Sequence, residues 1–157
     1  DRKDFFKQLS DLTQIRKNLG LRTALNTIEK LPHVAQSEYG IVGVFHKPYV
    51  KKYIELFAKR YKKFALIQGN EGTPELFSRS RLWIYEAGDL QEYKIDPQKY
   101  GVEYKKSLEK ISLEESLKLM KNPSDEYLKL AKLNAAICMF LAEKTVSIDE
   151  AYYDILS

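Results

Sequence analysis

Cysteine is almost absent from this chain: its 157 residues include one, Cys138, which excludes an internal disulfide framework. Set in an apolar run, that thiol reads as a small buried hydrophobe in a reducing compartment. Long apolar runs are missing as well. The densest, Leu130 to Ala142, is interrupted by Lys132 and Asn134 and is too short to cross a bilayer. No charged-then-apolar leader opens the chain, so a cytoplasmic setting with no membrane partner is expected. Histidine is confined to His33 and His46, with no cysteine or paired acids beside them at ligand spacing, and a zinc site is not expected. No serine stands in a nucleophile elbow and no phosphate-loop lysine motif occurs, which sets aside covalent hydrolases and nucleoside triphosphatases.

The length suits one domain, 1–157, with an ordinary core. Asp1 in place of an initiating methionine is expected of a segment of something longer. The net charge of +4 is concentrated: between residues 47 and 63 seven cations face one acid, Glu55, leaving that stretch at +6 and the rest at −2. Such an element either attracts phosphates or is a solvated helix face.

Phe5, Leu9, Leu12 and Ile15 recur at helical spacing over 4–18, with Gly20 where a left-handed cap falls, so a helix with one buried face is expected. The continuous run Ile41, Val42, Val44 and Phe45 predicts a central strand over 39–46, covered on both faces. Pro48 opens a helix with the stripe Val50, Ile54, Phe57, Ala58 and Tyr61; Lys51, Lys52, Lys59, Lys62 and Lys63 share the adjoining arc. A second strand, 64–68, runs into the turn 69–72. Strand, helix, strand predicts a parallel pair with a right-handed crossover and a ligand crevice at the strands' carboxyl ends. Residues 81–85 and 90–95 predict a hairpin added to the sheet. The last third reads as helical: Ser112 with Glu115 and Ser147 with Glu150 fit capping boxes, Asn122-Pro123 reads as a cap, and 128–141 as a buried helix. The fold class expected is α/β, with a mixed, mainly parallel sheet, an added antiparallel hairpin and flanking helices. Ser78-Arg79-Ser80-Arg81 is a further phosphate-binding candidate, or ordinary surface.

Three strings, in order, resemble the anthranilate phosphoribosyltransferase family (glycosyl transferase family 3). Residues 15–26, IRKNLGLRTALN, resemble its arginine, leucine-glycine, arginine-threonine, asparagine segment. Residues 69–75, GNEGTPE, resemble its glycine-acid-glycine loop ending in an acidic pair, and Leu133-Asn134-Ala135-Ala136 its leucine-asparagine-alanine-alanine helix.

The resemblance implies a pentosyl transfer from phosphoribosyl pyrophosphate to an acceptor that this sequence leaves unidentified. Arg16 would meet the acceptor's carboxylate, a task suited to a planar charged fork, and Asn26 would join it in substrate binding. Glu75 would hold Mg2+ with Glu71 in support, because the first acid of the family's pair is here Pro74. Residues 29–34 depart from the acceptor-specific pattern, so a divergent branch is implied. The family's glycine-rich donor loop and its amino-terminal helical domain, through which it dimerises, are not among these residues, so the isolated chain is expected to be inactive and the intact protein to be the enzyme. The alternative is a non-catalytic relative that binds single-stranded DNA or RNA nonspecifically through Lys51, Lys52, Lys59, Lys62 and Lys63.

Overall fold

The computed structural model describes residues 2–20, 33, 35–68, 72–103 and 111–155. The chain groups into two compact units, Asp1–Ser37 and Glu38–Ser157.

In the first unit the expected helix over 4–18 is three short ones: α1 (Arg2–Phe5), α2 (Lys7–Asp11) and α3 (Thr13–Leu19). Phe6 leaves helical geometry, and the Thr13 hydroxyl donates to the Ser10 carbonyl at 2.6 Å across the second break, the local bonding by which threonine competes with a continuous helix. Gly20 closes α3 in the left-handed conformation, its N–H shared between the Arg16 and Lys17 carbonyls, as its position implied. The buried face is not found. Phe5 and Ile15 are exposed and nothing in α2 or α3 is buried, because breaks after five residues or fewer turn the apolar positions off one line.

The second unit holds a sheet in the order β1-β2-β3-β4, formed by Tyr39–Gly43, Lys63–Ile67, Ser80–Glu86 and Asp89–Ile95. Helix α4 (Tyr49–Phe57) connects β1 to its parallel neighbour β2, and β3-β4 is the antiparallel hairpin. The α/β class, the mixed sheet and the flanking helices are as expected. The parallel share is smaller: of the three ladders among the described residues, β1-β2 is parallel, while β2-β3 and β3-β4 are antiparallel. The described part of the link from β2 to β3 contains no crossover helix, so the chain returns alongside β2 in the opposite sense. The strand expected to be central, β1, lies at the sheet edge, and Phe45 beyond it is exposed; β2 takes the interior position, with Phe64, Ala65, Leu66 and Ile67 buried.

Alternation along β2 builds two cores. On one face α4 turns Val50, Tyr53 and Phe57 inward, Phe57 standing edge-on to Phe64 at 5.8 Å. On the other, Ala65, Ile67, Leu82, Ile84 and Ile95 join Leu130, Leu133, Ala136, Ile137 and Leu141 of α6 (Asp125–Leu141). Helix α6 is thus buried along one face only, and Leu128 is exposed. Cys138, expected inside, stands on the outer side of this helix, and partial desolvation raises its thiol pKa.

Helix α5 (Leu113–Lys121) opens with the complete capping box of Ser112 and Glu115. The cap of α6 is Ser124, whose hydroxyl accepts from the Tyr127 N–H at 3.2 Å, while Asn122 ends α5 instead of starting α6. At α7 (Ile148–Glu150) Ser147 caps Glu150 N–H as expected, but the Glu150 carboxylate reaches back to Val146 N–H, one residue beyond the box position.

Candidate functional site

Two backbone approaches hold the loop after β2 against the carboxyl end of the parallel pair. Gly43, the last residue of β1, is one. A Cβ there would be driven into the Gly72 carbonyl oxygen and the Thr73 carbonyl group, so only glycine lets the returning chain lie across the strand end. The other is Asn134, in mid α6. Its side-chain oxygen accepts the Leu76 N–H at 2.8 Å, and its amide nitrogen donates to the Leu76 carbonyl at 3.0 Å and to the Leu130 carbonyl at 3.0 Å. Leu76 is fully buried, so both of its main-chain polar groups need a partner, and one side chain satisfies both. Glu75, the preceding residue, is exposed. An exposed carboxylate thus stands next to a fixed, buried residue in the loop that follows β2.

Neither Gly43 nor Asn134 was singled out as a site residue from the sequence. A glycine inside a β-branched run was the available signal for the first. An amide inside an apolar helix, in the string Leu133-Asn134-Ala135-Ala136, was the signal for the second.

Among the described residues the loop offers one carboxylate, Glu75; Pro74 offers none, and Glu71 lies outside the described residues. No group of three or more His, Cys, Asp or Glu that could hold a metal occurs among the described residues. The donor set fits a magnesium ion that keeps most of its water and takes one or two carboxylates plus ligand phosphate, not a protein-made cage. Arg16 is half-buried on α3 in the first unit, whereas Glu75 belongs to the second. Asn26 lies outside the described residues. Of the histidines, His33 bonds the Ser37 carbonyl at 2.8 Å, and His46 packs edge-on against Phe45.

The lysine arc does not form as expected. Helix α4 ends at Phe57, because the chain turns with Arg60 N–H on the Phe57 carbonyl and then enters the sheet with Lys62 N–H on Glu38. Lys51 and Lys52 remain on the helix and Lys59 lies on the turn, all exposed. Lys62 bonds Glu143 at 2.5 Å and Tyr39 Oη at 3.2 Å. Lys63 is only 12% exposed, between Glu86 at 3.2 Å and Glu143 at 3.7 Å. These two lysines are structural partners of Glu143, tying the start of the parallel pair to the end of α6.

The Lys62 ammonium and the Tyr39 hydroxyl, at 2.7 Å, hold the Glu143 carboxyl at about 2, from an ordinary value of 4.5. A depressed acid stabilises the fold fully above its unfolded value and loses that contribution as pH falls through the folded one. Thermal midpoints should therefore drop between about pH 4.5 and 2. In Glu143→Gln that acid limb should be shallower, as thermal melts across the range would read; an unchanged slope contradicts the assignment.

Residues 3–157 match the family model described as glycosyl transferase family, a/b domain. The chain belongs to that family. Among curated relatives of this glycosyl transferase domain, an uncharacterized protein of Aquifex aeolicus (strain VF5) is 33% identical over 69% of the chain and 35% of its own length. The anthranilate phosphoribosyltransferase of Caldicellulosiruptor saccharolyticus is 30% identical over 57% of the chain and 27% of its own length. Among solved structures, anthranilate phosphoribosyltransferase from Thermus thermophilus superposes with TM-score 0.71 at 22% identity, covering 92% of the chain and 45% of that protein. The Saccharomyces cerevisiae enzyme in complex with PRPP and Mg gives 0.69 at 20% identity, covering 92% and 44%. The glycosyl transferase domain thus spans a quarter to just over a third of these curated relatives and under half of these solved ones. No helix among the described residues is long and apolar enough to cross a membrane.

Proposed function

We propose that this domain is the acceptor and metal side of a phosphoribosyltransferase-like pentosyl transferase, in which an acceptor attacks C1 of a phosphoribosyl pyrophosphate donor and pyrophosphate leaves. The observation that carries the reading is the anchoring of Glu75 at the carboxyl end of the parallel pair, between Gly43 and the Asn134 clamp. Open α/β sheets bind their ligands at that edge. A magnesium ion bound there would supply charge for the donor's pyrophosphate, with Glu75, and Glu71 four residues earlier, as its carboxylates. Arg16 and Asn26 would face the acceptor, Arg16 presenting its guanidinium to an anionic group. Rate enhancement in such a transfer comes from positioning and from charges aimed at the departing group. The dimer and the phosphate cradle expected for the intact enzyme would come from chain outside these residues.

The reading is tested by calorimetric titration of phosphoribosyl pyrophosphate into the intact protein with and without Mg2+. Binding should require the metal, and Glu75→Gln should weaken it by about tenfold, the loss of one charged contact of about 1.4 kcal/mol. Equal affinity of the two forms would remove Glu75 from the metal. The nucleic-acid alternative gains no specific support from the arrangement, because Lys62 and Lys63, two of the five lysines it needs, are engaged by carboxylates.

A further inference from the structure

The hairpin β3-β4 carries cations that the transferase reading does not use. In its register Arg81 lies opposite Lys94, and Trp83 opposite Glu92. Trp83 is in turn opposite Leu66 of β2, two residues along from Phe64, whose ring meets Phe57 of α4. Alternation therefore sends the Arg81 and Lys94 side chains out together on the α4 face of the sheet. Like charges directly opposite each other oppose pairing. The nearest carboxylate on that face is already shared: Glu92 takes the Trp83 indole N–H at 2.9 Å and Lys47 at 3.4 Å, and Arg81 reaches it only at 3.6 Å. Lys94 is exposed and has no carboxylate partner among the described residues.

Arg81 and Lys94 border a cavity of about 490 Å³ whose other charged walls are Arg79, Lys99 and Asp96. Four cations thus meet one acid. Asp96 is committed elsewhere, to Arg79 at 2.7 Å and to Gln98 N–H at 3.2 Å, so it does not offset Arg81, Lys94 or Lys99. Gln68 adds an uncharged polar wall. The cavity stands at the neck of the loop that carries Glu75: Gln68 follows β2, and its N–H donates to the Arg81 carbonyl at 2.9 Å, joining the two ends of the loop. A concave place with an excess of one charge raises the local concentration of the opposite one.

We propose that this cavity is a binding site for a small oxyanion of the phosphate class, held between the Arg81 guanidinium and the Lys94 ammonium, with Lys99 on its border. The planar fork of Arg81 suits a pair of phosphate oxygens, and Lys94 brings a point charge to a third. An anion there relieves the repulsion between the opposed cations. The cavity is larger than one phosphate group, so pyrophosphate, with more charge and greater reach, is the better fit.

The test titrates the 157-residue chain calorimetrically with sodium pyrophosphate and with sodium phosphate, in EDTA so that no metal contributes. Pyrophosphate should bind about tenfold more tightly than phosphate. The Arg81→Gln/Lys94→Gln double variant should lose about tenfold or more in pyrophosphate affinity. Lys51→Gln/Lys52→Gln, which removes the same charge from exposed positions of α4, should stay within about twofold of the parent, because screening leaves distant surface charges little effect. Lys94→Gln alone should weaken binding while keeping the parent's thermal midpoint, which separates a lost contact from a lost fold. Pyrophosphate that fails to bind, or an equal loss in the two double variants, overturns the proposal. So does a single-stranded oligonucleotide that displaces pyrophosphate at a lower concentration than pyrophosphate itself binds, which would mark a polynucleotide surface. Metal is absent and Glu75 is unaltered throughout, so failure here is distinguishable from failure of the transferase reading.

Discussion

Asn134→Ala should lower the stability of the Glu38–Ser157 unit by about 3 kcal/mol, which for a unit of this size moves the thermal midpoint down by roughly 6–12 °C. The loss exceeds that of an ordinary polar side chain for a specific reason. The truncation removes hydrogen bonds of 2.8 and 3.0 Å whose other halves are the N–H and carbonyl of the fully buried Leu76. Water cannot readily replace them, and a buried donor or acceptor left alone costs about 1–3 kcal/mol. Asn134→Leu, which restores volume, should not rescue the midpoint, since the orphaned groups belong to Leu76. Differential scanning calorimetry of the three forms decides it. A Leu variant as stable as the parent would show that packing, not the clamp, is what the position supplies.

Gly43→Ala should be nearly as damaging, at about 3 kcal/mol, the upper range for inserting one methyl into a packed site. The added Cβ meets main-chain atoms of Gly72 and Thr73, and no rotamer change moves a backbone aside. Gly40 in the same strand is the natural comparison: there the atoms met belong to the Tyr61 side chain and not to backbone, so Gly40→Ala should cost less, about 1–2 kcal/mol. Chemical denaturation midpoints would separate the pair. Equal costs would mean that the chain at 72–73 yields easily, and the crevice edge would then not be held as described.

Much of the fold was legible because its determinants are local. Gly20 capped its helix, Ser112 and Glu115 formed their box, the hairpin fell where residues 81–95 implied, and Pro48 preceded the crossover helix. What was misread depends on partners distant in sequence. The run Ile41, Val42, Val44 and Phe45 looks like a central strand, but edge or centre is decided by which strands pair, and β1 has one neighbour among the described residues. The wheel that gathered five lysines presumed a helix continuing past Phe57; the Glu38 carbonyl instead draws residues 62 and 63 into the sheet. Glu143, which then engages them, is 81 residues from Lys62 along the chain. The site divided the same way. Glu75 is a candidate put forward from a loop string, whereas Asn134 acquires its task only when α6 lies beside Leu76, 58 residues earlier.

Amide hydrogen exchange at Leu76 measures that clamp most directly. In the parent chain the Leu76 N–H should exchange as slowly as the amides of β2, and in Asn134→Ala it should become fast while β2 stays protected. A Leu76 amide that exchanges rapidly in the parent, or just as slowly in the variant, would contradict the claim that Asn134 holds Glu75 at the edge of the sheet.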